Sequence, residues 1–87
     1  MEKPHPVLKE IGAQIRKVRQ AQGISQENFA IHMGMARSYY SGVERGRRNL
    51  AALNLVRIAA ALNVEVGELF PPMAELRQKI GKEVEGD

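Results

Sequence analysis

Apolar residues recur along this chain at helical spacing, and the breaks between the runs carry turn chemistry. The first run is Leu8, Ile11, Ile15 and Val18, with Arg16, Lys17 and Gln20 on the other side. Gly23 closes it, as a left-handed residue just past a helix should. Ser25 then supplies an N-cap oxygen for a second helix over about 26–33, whose inward face is Phe29, Ala30 and Met33. Gly34 stands where the chain must turn sharply. A third helix is predicted over about 36–45, with Tyr40 and Val43 inward and Gly46 as its stop. Arg47 to Leu50 make a basic loop. A fourth helix over about 51–62 places Leu55, Ile58, Ala59 and Leu62 at i, i+3, i+4 and i+7, and Asn63 suits its C-terminal end. Val66 to Phe70 read as a short fifth helix ended by Pro71 and Pro72. A sixth is predicted over 73–84 from Leu76, Ile80 and Val84, although Gly81 weakens it. No alternating strand pattern, repeat or low-complexity segment interrupts this series. The expectation is an all-α, compact five-helix domain over 8–70, preceded by a loose arm at 1–7 with Pro4 and Pro6. The C-terminal extension, 71–87, holds the short sixth helix.

Composition narrows the class. Eighty-seven residues make one domain with a small core, aliphatic apart from Phe29, Phe70, Tyr39 and Tyr40. The absence of cysteine removes disulfides and thiolate metal sites, and fits a reducing cytoplasm. MEKPHPVLKE lacks the apolar stretch of a signal peptide, and no run nears the roughly 18 apolar residues of a membrane span. A soluble, cytoplasmic chain without membrane contact is expected. His5 and His32 have no paired acid at ligand spacing, so neither a metal nor a cofactor is expected, and Met33 and Met35 read as core filler. Nucleophile–base arrangements and Gly-rich phosphate loops are missing, which disfavours an enzyme, and no small-molecule ligand is expected.

Charge adds a direction. The chain carries a net +3, and residues 36–50 hold Arg37, Arg45, Arg47 and Arg48 against the single acid Glu44. Elsewhere nine bases cancel nine acids. The net charge therefore sits beside one segment, SQENFAIHMGMARSYYSGVERGRR, in which two short amphipathic helices flank a glycine. That is the pattern of a helix-turn-helix, with a polyanion as its partner.

Several spaced features agree with one known family. IGAQIRKVRQAQGISQ resembles the first helix and turn of the lambda-repressor-like, or Xre and Cro/C1-type, DNA-binding domains. ENFAIHMGMARSYYSGVERGRRN resembles their helix-turn-helix, with Ala30 at the helix crossing and Gly34 in the turn. LVRIAAALNVEVGELF resembles their fourth and fifth helices. Within the family, ARSYYSGVERGRRN is most similar to the small restriction-modification controller proteins. The resemblance implies a dimeric, sequence-specific transcriptional regulator, often a repressor, acting on double-stranded DNA. It also implies a buried ion pair between Arg19 and Glu44, read as structural. Four positions depart from the pattern. Ala51 and Glu65 replace better N-caps, Tyr40 replaces an inward aliphatic residue, and Gly42 stands where a long polar side chain is common.

The second helix of such a motif enters the major groove. Arg37, Ser38, Tyr39 and Ser41 are the candidate base contacts; Arg37 alternatively grips only phosphate, and Tyr39 alternatively packs on the scaffold. Ser25 and Gln26, at the start of the helix that crosses the backbone, and Arg45, Arg47, Arg48 and Asn49 in the loop, are the candidate phosphate contacts. A homodimer would read a short palindrome through two half-sites. Val64, Val66, Leu69 and Phe70, extended by Leu76 and Ile80, are the candidate interface, because apolar residues there exceed what a small core needs. Two rival readings remain at this point. One is the DNA-binding antitoxin of a toxin–antitoxin pair, which an outward apolar stripe of Leu76, Ile80 and Val84 would favour. The other is a protein-interaction module that kept the fold without DNA binding, which requires the basic surface to be neutral or covered.

Overall fold

The computed structural model describes residues 3–81. It consists of α1 (Pro6–Ala21), α2 (Gln26–Met33), α3 (Arg37–Glu44), α4 (Ala52–Leu62), a single 3-10 turn (Val66–Leu69) and α5 (Met73–Ile80), with no strand among the described residues. The core forms where the inward faces of α1 to α4 and the 3-10 turn meet, and α5 packs on α1 beside it. Ile15, Phe29, Tyr40, Ile58, Leu62 and Leu69 are its fully buried side chains. The Phe29 and Tyr40 rings lie 5.2 Å apart at a tilt of 57°, a contact that brings α2 onto α3.

Local chemistry sets the helix ends. Ser25 Oγ accepts the Asn28 N–H at 3.0 Å and caps α2. Gly34 (φ 69°) and Asn63 (φ 57°) take the left-handed conformation after α2 and α4. In each case the next residue's N–H returns five residues, Met35 to Ala30 and Val64 to Ala59, which satisfies helix carbonyls that would otherwise lack partners. Long polar side chains close other free carbonyls. Gln22 donates to the Leu62 carbonyl (2.6 Å), Gln14 to Glu68 (3.0 Å) and Arg57 to Met33 (2.9 Å).

Four differences from the sequence reading have physical causes. First, α1 begins at Pro6 rather than Leu8, because proline suits the first helical turn and His5 Nδ1 accepts the Val7 N–H at 3.0 Å. Second, the fifth helix is only a 3-10 turn, and Glu65 is better capped than expected, since the Glu68 carboxylate accepts its N–H at 2.8 Å. Third, Leu69 is fully buried in the monomer and is withdrawn from the candidate interface; Leu76 follows it, since α5 folds back on α1. Fourth, Ile80 is half-buried beside His5, Val7 and Leu8, so the tail stripe that would favour an antitoxin faces inward over its described part. Val84 lies outside the described residues.

Candidate nucleic-acid interface

The motif's second helix, α3, is amphipathic. Tyr40, Val43 and Glu44 are buried, while Arg37 and Ser38 are exposed and Tyr39 and Ser41 half-buried on the outer side. The Tyr39 ring is half-buried against the core, and the exposed Arg48 guanidinium lies over it. The exposed Arg37 guanidinium lies 3.8 Å from Glu27 of α2, both well solvated, a contact too open to hold either side chain in place.

Behind α3 the helix is anchored by a buried polar cluster. Arg19 Nε and Nη2 donate to the two Glu44 oxygens at 2.7 and 3.0 Å, and Arg19 Nη1 donates to the Ile24 carbonyl at 2.6 Å. The Tyr40 hydroxyl donates to Glu44 Oε2, and Gln26 Nε2 donates to Glu44 Oε1 at 3.0 Å. One carboxylate thus ties together α1, α2 and α3. Burial alone would push the Glu44 carboxyl up; the hydrogen bonds from Arg19, Tyr40 and Gln26 outweigh it and hold the group below the usual carboxylate range. Burial, reinforced by the bond to Glu44, raises the Tyr40 phenol. The bond to Glu44 raises Arg19 despite its burial. Gln26, expected at phosphate, therefore spends its amide on this cluster, while the α2 N-terminus itself stays at the surface.

The junction of α1 with α3 is tight. A Cβ on Gly12 would come within 2.5 Å of the Val43 and Glu44 carbonyl oxygens, so any other residue there would force the helices apart. After α3, the Gly46 N–H bonds to Val43 (3.1 Å) and the Arg47 N–H to Gly42 (2.8 Å), with Gly46 left-handed at φ 75°. His5 N–H donates to the Gly46 carbonyl at 3.2 Å and pins the turn from the other side. This ending folds the basic loop back along α3. Ser38, Ser41, Gly42, Arg45, Arg47 and Arg48 consequently line one open hollow of about 220 Å³. Arg45, Arg48 and Asn49 are exposed and Arg47 is half-buried. The structure thus brings Ser38, Ser41 and the loop arginines together. Ser25, Gln26 and Arg37 stand at the α2 and α3 starts, apart from that hollow.

The apolar residues proposed for self-association divide. Val66 is 38% exposed, and Val64 and Phe70 are partly buried against the core. Sequence reasoning missed Leu53 and Val56, which are 69% and 54% exposed on the outer face of α4. Their signal was available, as an apolar i, i+3 pair out of phase with Leu55, Ile58 and Leu62. Among the described residues no cluster of acids and histidines could hold a metal, and no helix is long and apolar enough to cross a membrane.

The helix-turn-helix profile HTH_3 matches residues 15–69. Control protein C.MunI of Mycoplasma sp is 40% identical over 60 residues, 68% of this chain and 81% of its own. The crystal structure of the restriction-modification controller protein C.AhdI from Aeromonas hydrophila is similar at a TM-score of 0.69 and 46% identity, covering 72% of this chain and 96% of that one. Another controller protein, C.Esp1396I, was solved as a tetramer in complex with its natural 35 base-pair operator; it gives a TM-score of 0.64 at 31% identity, covering 85% and 93%.

Proposed function

The chain belongs to the Xre-type, lambda-repressor-like helix-turn-helix family of transcriptional regulators, close to the restriction-modification controller proteins, and from that premise we propose that it binds a short, imperfectly palindromic operator as a homodimer. The observation that carries the reading is the outward face of α3. It exposes Arg37 and Ser38, half-exposes Tyr39 and Ser41, and has the cationic loop folded against it, while the one acid of α3, Glu44, is turned away and neutralised inside.

Each part has a chemical role. Arg37 presents a guanidinium fork suited to guanine O6 and N7, worth about 1–3 kcal/mol of discrimination. Ser38, Tyr39 and Ser41 complete the groove-facing set. Ser25 and Gln26 hold the α2 N-terminus, whose free N–H groups suit a phosphate oxygen. Arg45, Arg47, Arg48 and Asn49 neutralise phosphates along the groove edge. Dimerisation uses Val64, Val66 and Phe70 together with Leu53 and Val56, an apolar surface that a two-fold partner would cover with its own copy. The exposed cationic face also weighs against a module that has lost DNA binding.

Selection from a random duplex library, followed by gel shifts over a salt series, tests this reading. A pair of related half-sites should emerge, and affinity should fall with salt at roughly −0.9 in log–log slope for each phosphate engaged. Equal affinity for selected and scrambled duplexes would overturn it.

A further inference from the structure

Gly42 sits in the middle of the outer face of α3, where a side chain would otherwise point toward the groove. The space is taken instead by Arg48. A Cβ built on Gly42 would lie 3.0 Å from Arg48 Cγ, 3.5 Å from Nε and 3.8 Å from Cδ. The Arg48 guanidinium carbon is 5.6 Å from the centroid of the Tyr39 ring, within cation–π range. The return of the loop makes this possible, because the Arg47 N–H is bonded to the Gly42 carbonyl itself at 2.8 Å. Gly42, which stands where the family commonly carries a long polar side chain, therefore has a use of its own.

We propose that Gly42 is a positioning residue for DNA binding: its missing side chain is the seat in which the Arg48 stem lies, so that Arg48 is held against Tyr39 on the reading face of α3. Arg48 then stands beside Ser38 and Ser41 with its guanidinium held in one place, which fixes the charge it offers to phosphate. A methyl group at position 42 pushes on Cγ, and the guanidinium, several bonds further out, swings by more than that push. The inference rests on the DNA-binding role of α3 and adds to it how the loop is organised.

The experiment is a double-mutant cycle with Gly42→Ala and Arg48→Ala, read by affinity for the selected duplex, with thermal melting of each variant. Alanine is the better helix former, so Gly42→Ala should melt at the same temperature as the parent or higher. It should nevertheless bind about ten-fold more weakly, the scale of one lost directed contact. In the Arg48→Ala background the same change should cost little more, since its effect runs through Arg48. An NMR readout without DNA is independent of affinity: the Arg48 side-chain protons should carry a ring-current shift that Tyr39→Leu and Gly42→Ala both reduce. Undiminished affinity in Gly42→Ala, an equal loss with and without Arg48, or an unchanged ring-current shift would each overturn the proposal while leaving the function standing. A parent chain that binds no duplex selectively overturns both.

Discussion

Arg19 and Arg48 are the same residue in opposite circumstances, one on each side of α3. Arg19 is enclosed, with all three guanidinium nitrogens donating to oxygen. Arg48 is exposed and leans on an aromatic ring. Taking a guanidinium out of water is costly unless an opposite charge and a full set of acceptors meet it, and Glu44 with the Ile24 carbonyl does so. The enclosed arginine therefore serves folding, by fixing α3 against α1 and α2. The exposed arginines keep their charge directed outward, where polyanion binding can use it. The comparison separates stability from binding within one helix.

That separation can be challenged by substitution. The largest effect is expected for Glu44→Ala, which leaves the Arg19 charge buried and unpaired. Denaturant unfolding should show a loss of about 3–5 kcal/mol, enough to threaten the fold of a small domain. Acid probes the same carboxylate. Glu44 titrates below its unfolded value of about 4.3, so its stabilisation is present above that pH and drains away as the pH falls through the lower folded value. Tyr40 is the opposite case. Its folded value is raised, so its contribution is complete below about pH 10 and is lost above it, as the unfolded chain gives up the phenolic proton first. Melting curves from pH 3 to 11 should show both flanks, and Glu44→Gln should flatten the acid one.

Next in size is Leu53→Asp on the outer face of α4. Sedimentation should shift toward the monomer while the thermal midpoint stays near that of an undimerised parent, because Leu53 is 69% exposed within one chain. Arg37→Ala should cost about 1–3 kcal/mol at one position of each half-site and relax sequence preference there, without moving the melting temperature. The smallest expected change is Arg45→Ala. It should weaken binding to all duplexes alike and reduce the salt slope by about 0.9 per site, with stability within about 0.5 kcal/mol of the parent. A large stability loss in Arg45→Ala, or an intact fold in Glu44→Ala with normal acid resistance, would erase the distinction between the two arginine sets.

The parts legible in the sequence were those decided by neighbours along the chain. Ser25, Gly34 and Asn63 end or begin helices through their own side chains or φ angles, and the inward faces of α1 to α4 follow from a period near 3.6. The 3-10 turn was harder. Four residues with a period of three do not reveal which side faces inward, so the pattern alone leaves Leu69 a candidate for the interface although it is in the core. Leu53 and Val56 were visible as apolar residues out of phase, yet one strong inward stripe on α4 masked them. Contacts made by long polar side chains, such as Gln22 to Leu62 and Gln26 to Glu44, depend on helix crossing and left no trace in the pattern. The seating of Arg48 on Gly42 is of the same kind, since six residues and a reversal of direction separate them.

The bond from His5 to Gly46 has a practical corollary. It clips the segment just ahead of α1 to the rear of the arginine-bearing turn, so whatever is fused just ahead of that clip tugs on the very segment whose DNA affinity is to be measured. Purification handles belong at the opposite terminus, and a protease cut that removes His5 should loosen the turn while leaving the rest of the bundle folded.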